Sequence, residues 1–450
     1  MSWLNIDILF IINEFINGFE DIVNLSYVNS FLYNYRYNIS IDKQIKNIRY
    51  ITDIINKFNV ITLVGHYVVN FTDNELSKLV NLQVLHSNSN FTDEGLSKLV
   101  NLQVLRSNKN FTNKGLSKLV NLRELHCNSF VRLTDEILFK LVNLKVLKCD
   151  SFTNFTDEGL SKLVNLQVLH CTSNFTDKGL SKLVNLRKLN CWTNTNFTDK
   201  GLSKLVNLEH LTCLMNTNFT DEGLSKLVNL KELRCDDNIN FTDEGLSKLV
   251  NLQVLHCRCN INFTDKGLSK LVNLRELHCD DNTKFTDKGL SKLVNLRALY
   301  CGYNINFTDK GLSKLVNLKK LWCDNNTKFT DKGLSKLVNL EELHCNDNTK
   351  FTDKGLSKLV NLEKLWCDNN NKFTDKGLSK LVRLKCLSCN TMFTDEGLSK
   401  LVNLQDLDCD LNTNFTDEGL SKLVSLRFLD TGENYNFTDE GLSKLVNLRR

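Results

Sequence analysis

The chain has 450 residues, 41% of them hydrophobic and 24% charged, and a formal net charge of +5. That balance belongs to folded proteins rather than disordered ones. So small a charge on so long a chain does not mark a dedicated nucleic-acid or membrane-surface binder. No stretch approaches the roughly 20 uninterrupted apolar residues that span a bilayer. The apolar N-terminus is broken by Asp7, Asn13 and Glu14 and lacks a basic leader, so it makes a poor secretory signal. Proline is absent and Ala298 is the only alanine. Both residues need GC-rich codons, which points to a low-GC genome such as that of an amoeba or a large DNA virus.

The first 38 residues carry two apolar helical faces. Ile8, Leu9, Ile12, Phe15 and Ile16 mark one, and Ile22, Leu25, Val28 and Phe31 recur every three residues in the other. Asn17-Gly18 supplies a turn between them, and Asp21 acidifies the start of the second. The segment resembles an F-box, whose pattern opens L-P-x-E/D-I/L-L and continues D-L-x-x-L-x-x-V. Leu4, Asp7, Ile8, Leu9, Ile12, Phe15, Asp21, Ile22, Leu25 and Val28 stand at matching places, and Asn5 replaces the usual proline. The resemblance implies that Leu4, Ile8, Leu9, Ile12, Phe15, Ile22 and Leu25 dock the linker subunit of a ubiquitin ligase. The plainer reading is a helical cap over the first strand of a repeat array. Residues 39–70 read as a linker and degenerate capping repeat, with Val60-Ile61-Thr62-Leu63 in the register of the strands that follow.

From Phe71 to the C-terminus, residues 71–450, a unit F-T-D-x-G-L-S-K-L-V-N-L-x-x-L-x-C-x-x-N recurs in 18 copies, the last incomplete, mostly 22 residues apart. Its L-x-x-L-x-C piece, as in Leu274, Leu277 and Cys279, alternates as a strand with one buried face. Its T-D-x-G-L-S-K-L-V piece puts Leu290 and Leu293 on one face of a short helix whose Thr and Asp are expected to accept first-turn N–H groups. In the first copy Thr72 and Glu75 match a capping box. One strand and one short helix cannot bury their apolar sides alone, so the copies must stack into a parallel sheet. The unit resembles the cysteine-containing leucine-rich repeat, with Phe for the usual Ile and Cys at the third Leu position. The resemblance implies an α/β solenoid, with a curved parallel sheet on the concave side and short helices on the convex side. An F-box ahead of such repeats is a familiar arrangement.

Fourteen of the 16 cysteines share one repeat position, Cys127 to Cys409, where three other copies have Ser87, Ser107 and Thr431. They read as a buried ladder of small hydrophobes, without disulfides, suited to a reducing compartment. Pairs such as His256-Cys257 and His278-Cys279 cannot chelate together, because adjacent strand residues point to opposite faces. Cys386 and Cys389 straddle the strand in the same way, so neither a metal nor a cofactor is expected. Glycine is the fifth residue of 16 copies, with Glu75 and Ile137 the exceptions, and suggests close backbone approach. N-F-T occurs 12 times, and each occurrence reads as an accidental glycosylation sequon.

L-S-K-L-V recurs in 17 copies, whereas the position before each cysteine varies: His256, His278, Tyr300, Trp322, His344 and Trp366, then Ser388, Asp408 and Asp430. Six of the eight histidines lie in this column, which begins basic at His86, Arg106, His126, Lys148 and His170. It reads as a concave surface for a protein ligand, with His256, His278, Tyr300, Trp322, His344, Trp366 and Asp408 as contacts. The bland alternative is copying between repeats that homogenised one segment and spared another. Nothing suggests a nucleophile–base pair or phosphate loop, so no enzyme is expected. By resemblance the chain looks like a cytoplasmic or nuclear substrate receptor of an SCF-type ubiquitin ligase, in a host cell if the gene is viral. The alternatives are a leucine-rich scaffold without a ubiquitin role and a secreted binder with occupied sequons. The chain stops before an eighteenth strand is complete, which implies either a dimer through the open edge or a truncated gene.

Overall fold

The computed structural model describes residues 38–41, 59–65, 72–87, 91–107, 111–127, 133–149, 153–172, 175–192, 194–214, 216–390, 392–410, 412–432 and 434–449. The F-box-like residues Leu4, Ile8, Leu9, Ile12, Phe15, Ile22 and Leu25 lie outside the described residues. The chain divides into two compact units, 1–186 and 187–450.

In the first unit the strand Asn38–Ile41 pairs with Asn59–Gly65, which pairs with Val84–Ser87 of the first repeat. The Asn59–Gly65 strand sets Leu63 beside Leu85, so it continues the repeat register one step upstream, and Leu63 is buried. Four more parallel strands follow, ending at Val168–His170. The second unit runs from the strand Lys188–Asn190 to Phe428–Asp430, every neighbour parallel and in register. Among the described residues no helix is long and apolar enough to cross a membrane.

The internal copies bury the same side chains. In the copy beginning at Phe285, Phe285, Leu290, Leu293, Leu296, Leu299 and Cys301 are fully buried, while Val294 is exposed. The helix is shorter than the sequence suggests: Asp287–Leu290 is one turn. Leu293 lies beyond it and still reaches the core, because its N–H bonds the Leu290 carbonyl at 3.0 Å and continues the coil. None of the 16 cysteines forms a disulfide. Their role is more than filling: Cys323 and Cys345 donate S–H to the carbonyls of His344 and Trp366 in the next strand, at 3.4 and 3.5 Å. Burial pushes both thiols well above their ordinary range, so they stay protonated donors.

Three polar ladders run from copy to copy. Thr308 caps its own helix by accepting the Lys310 N–H at 3.2 Å. The adjoining aspartate does not cap, contrary to the expectation from sequence. Asp287 instead reaches the next copy and accepts the Thr308 N–H at 2.8 Å and its hydroxyl at 2.5 Å. Asn304, wholly buried, donates to the Asn282 carbonyl at 2.7 Å and accepts the Asn306 N–H at 3.0 Å. In the outer turn, Asn317 donates to the Val294 carbonyl at 3.0 Å. Two of the sequon asparagines are engaged too: the Asn262 and Asn436 amides donate to the carbonyls of Ile239 and Thr413.

The recurrent glycine follows from the aspartate ladder. A Cβ on Gly311 would stand 2.5 Å from Asp287 Oδ1 and 3.1 Å from the Asp287 Cα. The two exceptions differ. In the first copy the Glu75 carboxylate accepts the Thr72 N–H at 2.8 Å. Ile137 follows the one copy in which Asn113 replaces the aspartate. Alanine favours a helix over glycine by about 1 kcal/mol, yet Gly311→Ala is expected to destabilise the array by about 1–3 kcal/mol through overpacking. Equilibrium denaturation gives the sign directly, and a stabilised variant would refute the close-approach explanation.

Candidate recognition face

Alternation along each strand puts two columns on the sheet face away from the core. In Glu276–His278 the middle Leu277 is buried, and Glu276 and His278 are both partly exposed on the other side. The column before each cysteine therefore faces outward, as the sequence indicates. Sequence reasoning missed the second column, two residues earlier: Glu232, Val254, Glu276, Ala298, Lys320, Glu342 and Lys364. The signal was available in the period of two, but its residues are chemically ordinary and become notable only beside the rings.

Strands about 4.8 Å apart and in register bring planar side chains nearly to contact. His256, His278, Tyr300, Trp322, His344 and Trp366 form one continuous stack. Successive ring centroids are 3.7, 3.8, 5.0, 3.7 and 3.8 Å apart, and the Tyr300–Trp322 step is tilted by 57°. The stack sorts the expected contact residues. Trp322 is 36% exposed, whereas His344 is only 9% exposed because two indoles sandwich it. His344 is thus a packing and electrostatic element more than a contact surface. Asp408 is exposed but stands apart from the rings, accepting the Ser388 hydroxyl at 3.1 Å.

Acidic residues of the second column fasten the stack from its side. Glu342, 7% exposed, accepts the Trp322 indole N–H at 2.8 Å and lies 3.3 Å from Lys320 Nζ. Burial pushes its carboxyl up, but the indole bond and Lys320 outweigh this, and the net shift is downward, so it remains ionised. Burial pulls His344 down to about 4 and His256 down to about 3, with His278 and Arg234 adding to the fall at His256. Both are neutral rings at physiological pH. Beyond Trp366 a cleft of about 510 Å³ is lined by Ser388, Asp406, Asp408, Phe428, Asp430 and Arg449, so three carboxylates face one cation there. In the first unit the same column carries Arg106, ion-paired with Glu124 at 2.5 Å, and His126, whose Nε2 lies 2.9 Å from the same carboxylate.

The His–Cys neighbours fall on opposite faces as expected, with Cys257 and Cys279 buried beneath His256 and His278. Cys386 is likewise on the outward column and Cys389 in the core.

No protein-family model matches the sequence, and no curated protein does. Solved structures match by fold. An internalin from Listeria monocytogenes aligns at 23% identity with a TM-score of 0.50, over 65% of this chain and 87% of its own. The TLR13–ssRNA13 complex aligns at 19% identity with a TM-score of 0.54, over 92% of this chain and 69% of its own. A yeast Rad7–Elc1 complex aligns at 16% identity, over 73% of this chain and 84% of its own, with a TM-score of 0.42, too low to support an inference. Similarities of this order establish the repeat fold and nothing about ligands.

Proposed function

We propose that this leucine-rich-repeat chain is a non-enzymatic interaction protein that holds a protein ligand on the open face of its sheet, centred on the rungs from His256 to Trp366. The observation that carries the reading is the six-ring stack. Aromatic side chains concentrate binding energy at protein interfaces, and here six consecutive strands each contribute one. The constancy of the outer segment has its own cause in the Thr–Asp, Gly and Asn ladders. Variation in the outward column is then what remains free to encode a partner, although the side chains of Lys292 and Val294 stay constant while taking no part in a ladder. The mixture of rings, acids and lysines suits a polypeptide better than a polyanion.

The finer reading is a substrate receptor of an SCF-type ligase, acting in a reducing compartment that keeps the buried cysteines as thiols. It rests on the F-box-like pattern of Leu4 to Leu25. A pull-down with the ligase linker subunit should capture the full chain and fail with a 39–450 truncation. If neither is captured, the N-terminal segment is a cap and the chain a scaffold. For the face itself, Trp322→Ala and Trp366→Ala should each weaken capture of a cognate partner at least about tenfold, while Lys292→Ala on the helix side leaves it unchanged. Equal effects from both sides would defeat the proposed location.

A further inference from the structure

We infer that His256, Glu276 and His278 form a binding site for a single divalent transition-metal ion of the zinc class on the open face of the sheet. The residues come from adjacent parallel strands, where His256 pairs with His278 in register and Glu276 lies two positions before His278 on the same face. One donor atom from each, two imidazole nitrogens and a carboxylate oxygen, lie within 4.8 Å of one another. Two nitrogens and one hard oxygen, with a fourth position left to water, suit zinc, cobalt, nickel or copper rather than calcium or magnesium.

Two observations beyond proximity point the same way. His256 Nε2 is buried and has no hydrogen-bond partner, so an ion would satisfy an atom that nothing else satisfies. His278 Nε2 lies 2.7 Å from Glu276 Oε1, so an ion entering there takes the place of the hydrogen between them. As that proton leaves Nε2, solvent returns one to Nδ1, so the ring changes tautomer and stays neutral as a ligand must.

The stack sets the cost of closure. The two imidazoles are nearly parallel, 13° apart at 3.7 Å, so their in-plane lone pairs run side by side. A tetrahedral ion about 2.0–2.1 Å from each donor needs donors about 3.3 Å apart, so the rings must turn about their Cβ–Cγ bonds to converge. Partial exposure of Glu276 and His278, at 38% and 21% of their side chains, leaves room on the open side for that movement. The site is independent of the identity of any protein ligand, and its water-bearing position faces the side on which a ligand would lie.

The test is titration of the full native chain with Co²⁺, followed by displacement with Zn²⁺. One equivalent should bind, giving the d–d bands of a nitrogen- and oxygen-ligated ion of low coordination number and no thiolate-to-metal charge-transfer band. Glu276→Gln, which removes a ligand without touching the rings, and His278→Gln should each weaken binding at least about tenfold. His344→Gln, in the same stack three strands away, should leave it unchanged. The absence of saturable binding at millimolar ion overturns the assignment. So does a thiolate band, or binding that survives both variants while their thermal unfolding stays native-like.

Discussion

Asn304→Leu is expected to cost the array about 2–4 kcal/mol, although it replaces a polar side chain by an apolar one of similar size in a wholly buried position. The amide donates to the Asn282 carbonyl at 2.7 Å and accepts the Asn306 N–H at 3.0 Å. Leucine strips both backbone groups of that partner, at about 1–3 kcal/mol for each group left unsatisfied. The neighbouring turn is held as tightly. Asp281, Tyr303, Asn325 and Asp347 precede successive ladder asparagines with φ between 57° and 59°, in the left-handed region. Copies in a repeat array touch only their neighbours, so a lesion at one rung divides the array. Urea unfolding of the variant should therefore show a lower midpoint and a second transition. Asn317→Ala on the exposed outer turn should lose less than about 1 kcal/mol. Equal losses at the two positions would mean that burial, rather than the ladder bond, was misjudged.

A shift from pH 7 to pH 5 is expected to weaken the fold, with His344 alone contributing about 1–2 kcal/mol. The sign follows from where the proton binds. The imidazole has a pKa near 6.5 in the unfolded chain and is pulled to about 4 in the folded one, chiefly by burial between Trp322 and Trp366. Lys320 and Lys364 add to the fall, and Glu342 opposes it. Between these values the unfolded state takes up the proton first, so stability present above pH 6.5 is lost as the pH falls toward 4. His256, pulled to about 3, and His126, to about 4, act in the same direction. Burial raises Asp324 and Asp368, which gain protons in the folded state first and offset part of the loss near the acid end. Stability measured by denaturant at several pH values should decline over this window, and His344→Gln should flatten the decline. A profile unchanged by the substitution would mean that the ring titrates as if exposed.

The array itself was written in the sequence. A fixed period of about 22 residues, an alternating L-x-C and the Leu290–Leu293 spacing determine parallel strands, a one-sided core and an inward thiol ladder. Each of these depends only on local period and on the need of each copy to bury its apolar side against the next. The outward column was legible for the same reason, because a period of two assigns faces without reference to any partner.

What the sequence left open depends on distances between copies. Asp287 reads locally as a helix cap, and only the next copy, 2.8 Å away, turns it into a bridge and forces Gly311 beside it. His344 reads as a contact residue until Trp322 and Trp366 close over it. Glu276 and His256 stand 20 positions apart in the chain, where no motif joins them. The in-register pairing of their strands brings their donor atoms within 4.8 Å, because lateral strand spacing, unlike chain separation, is set by backbone hydrogen bonds.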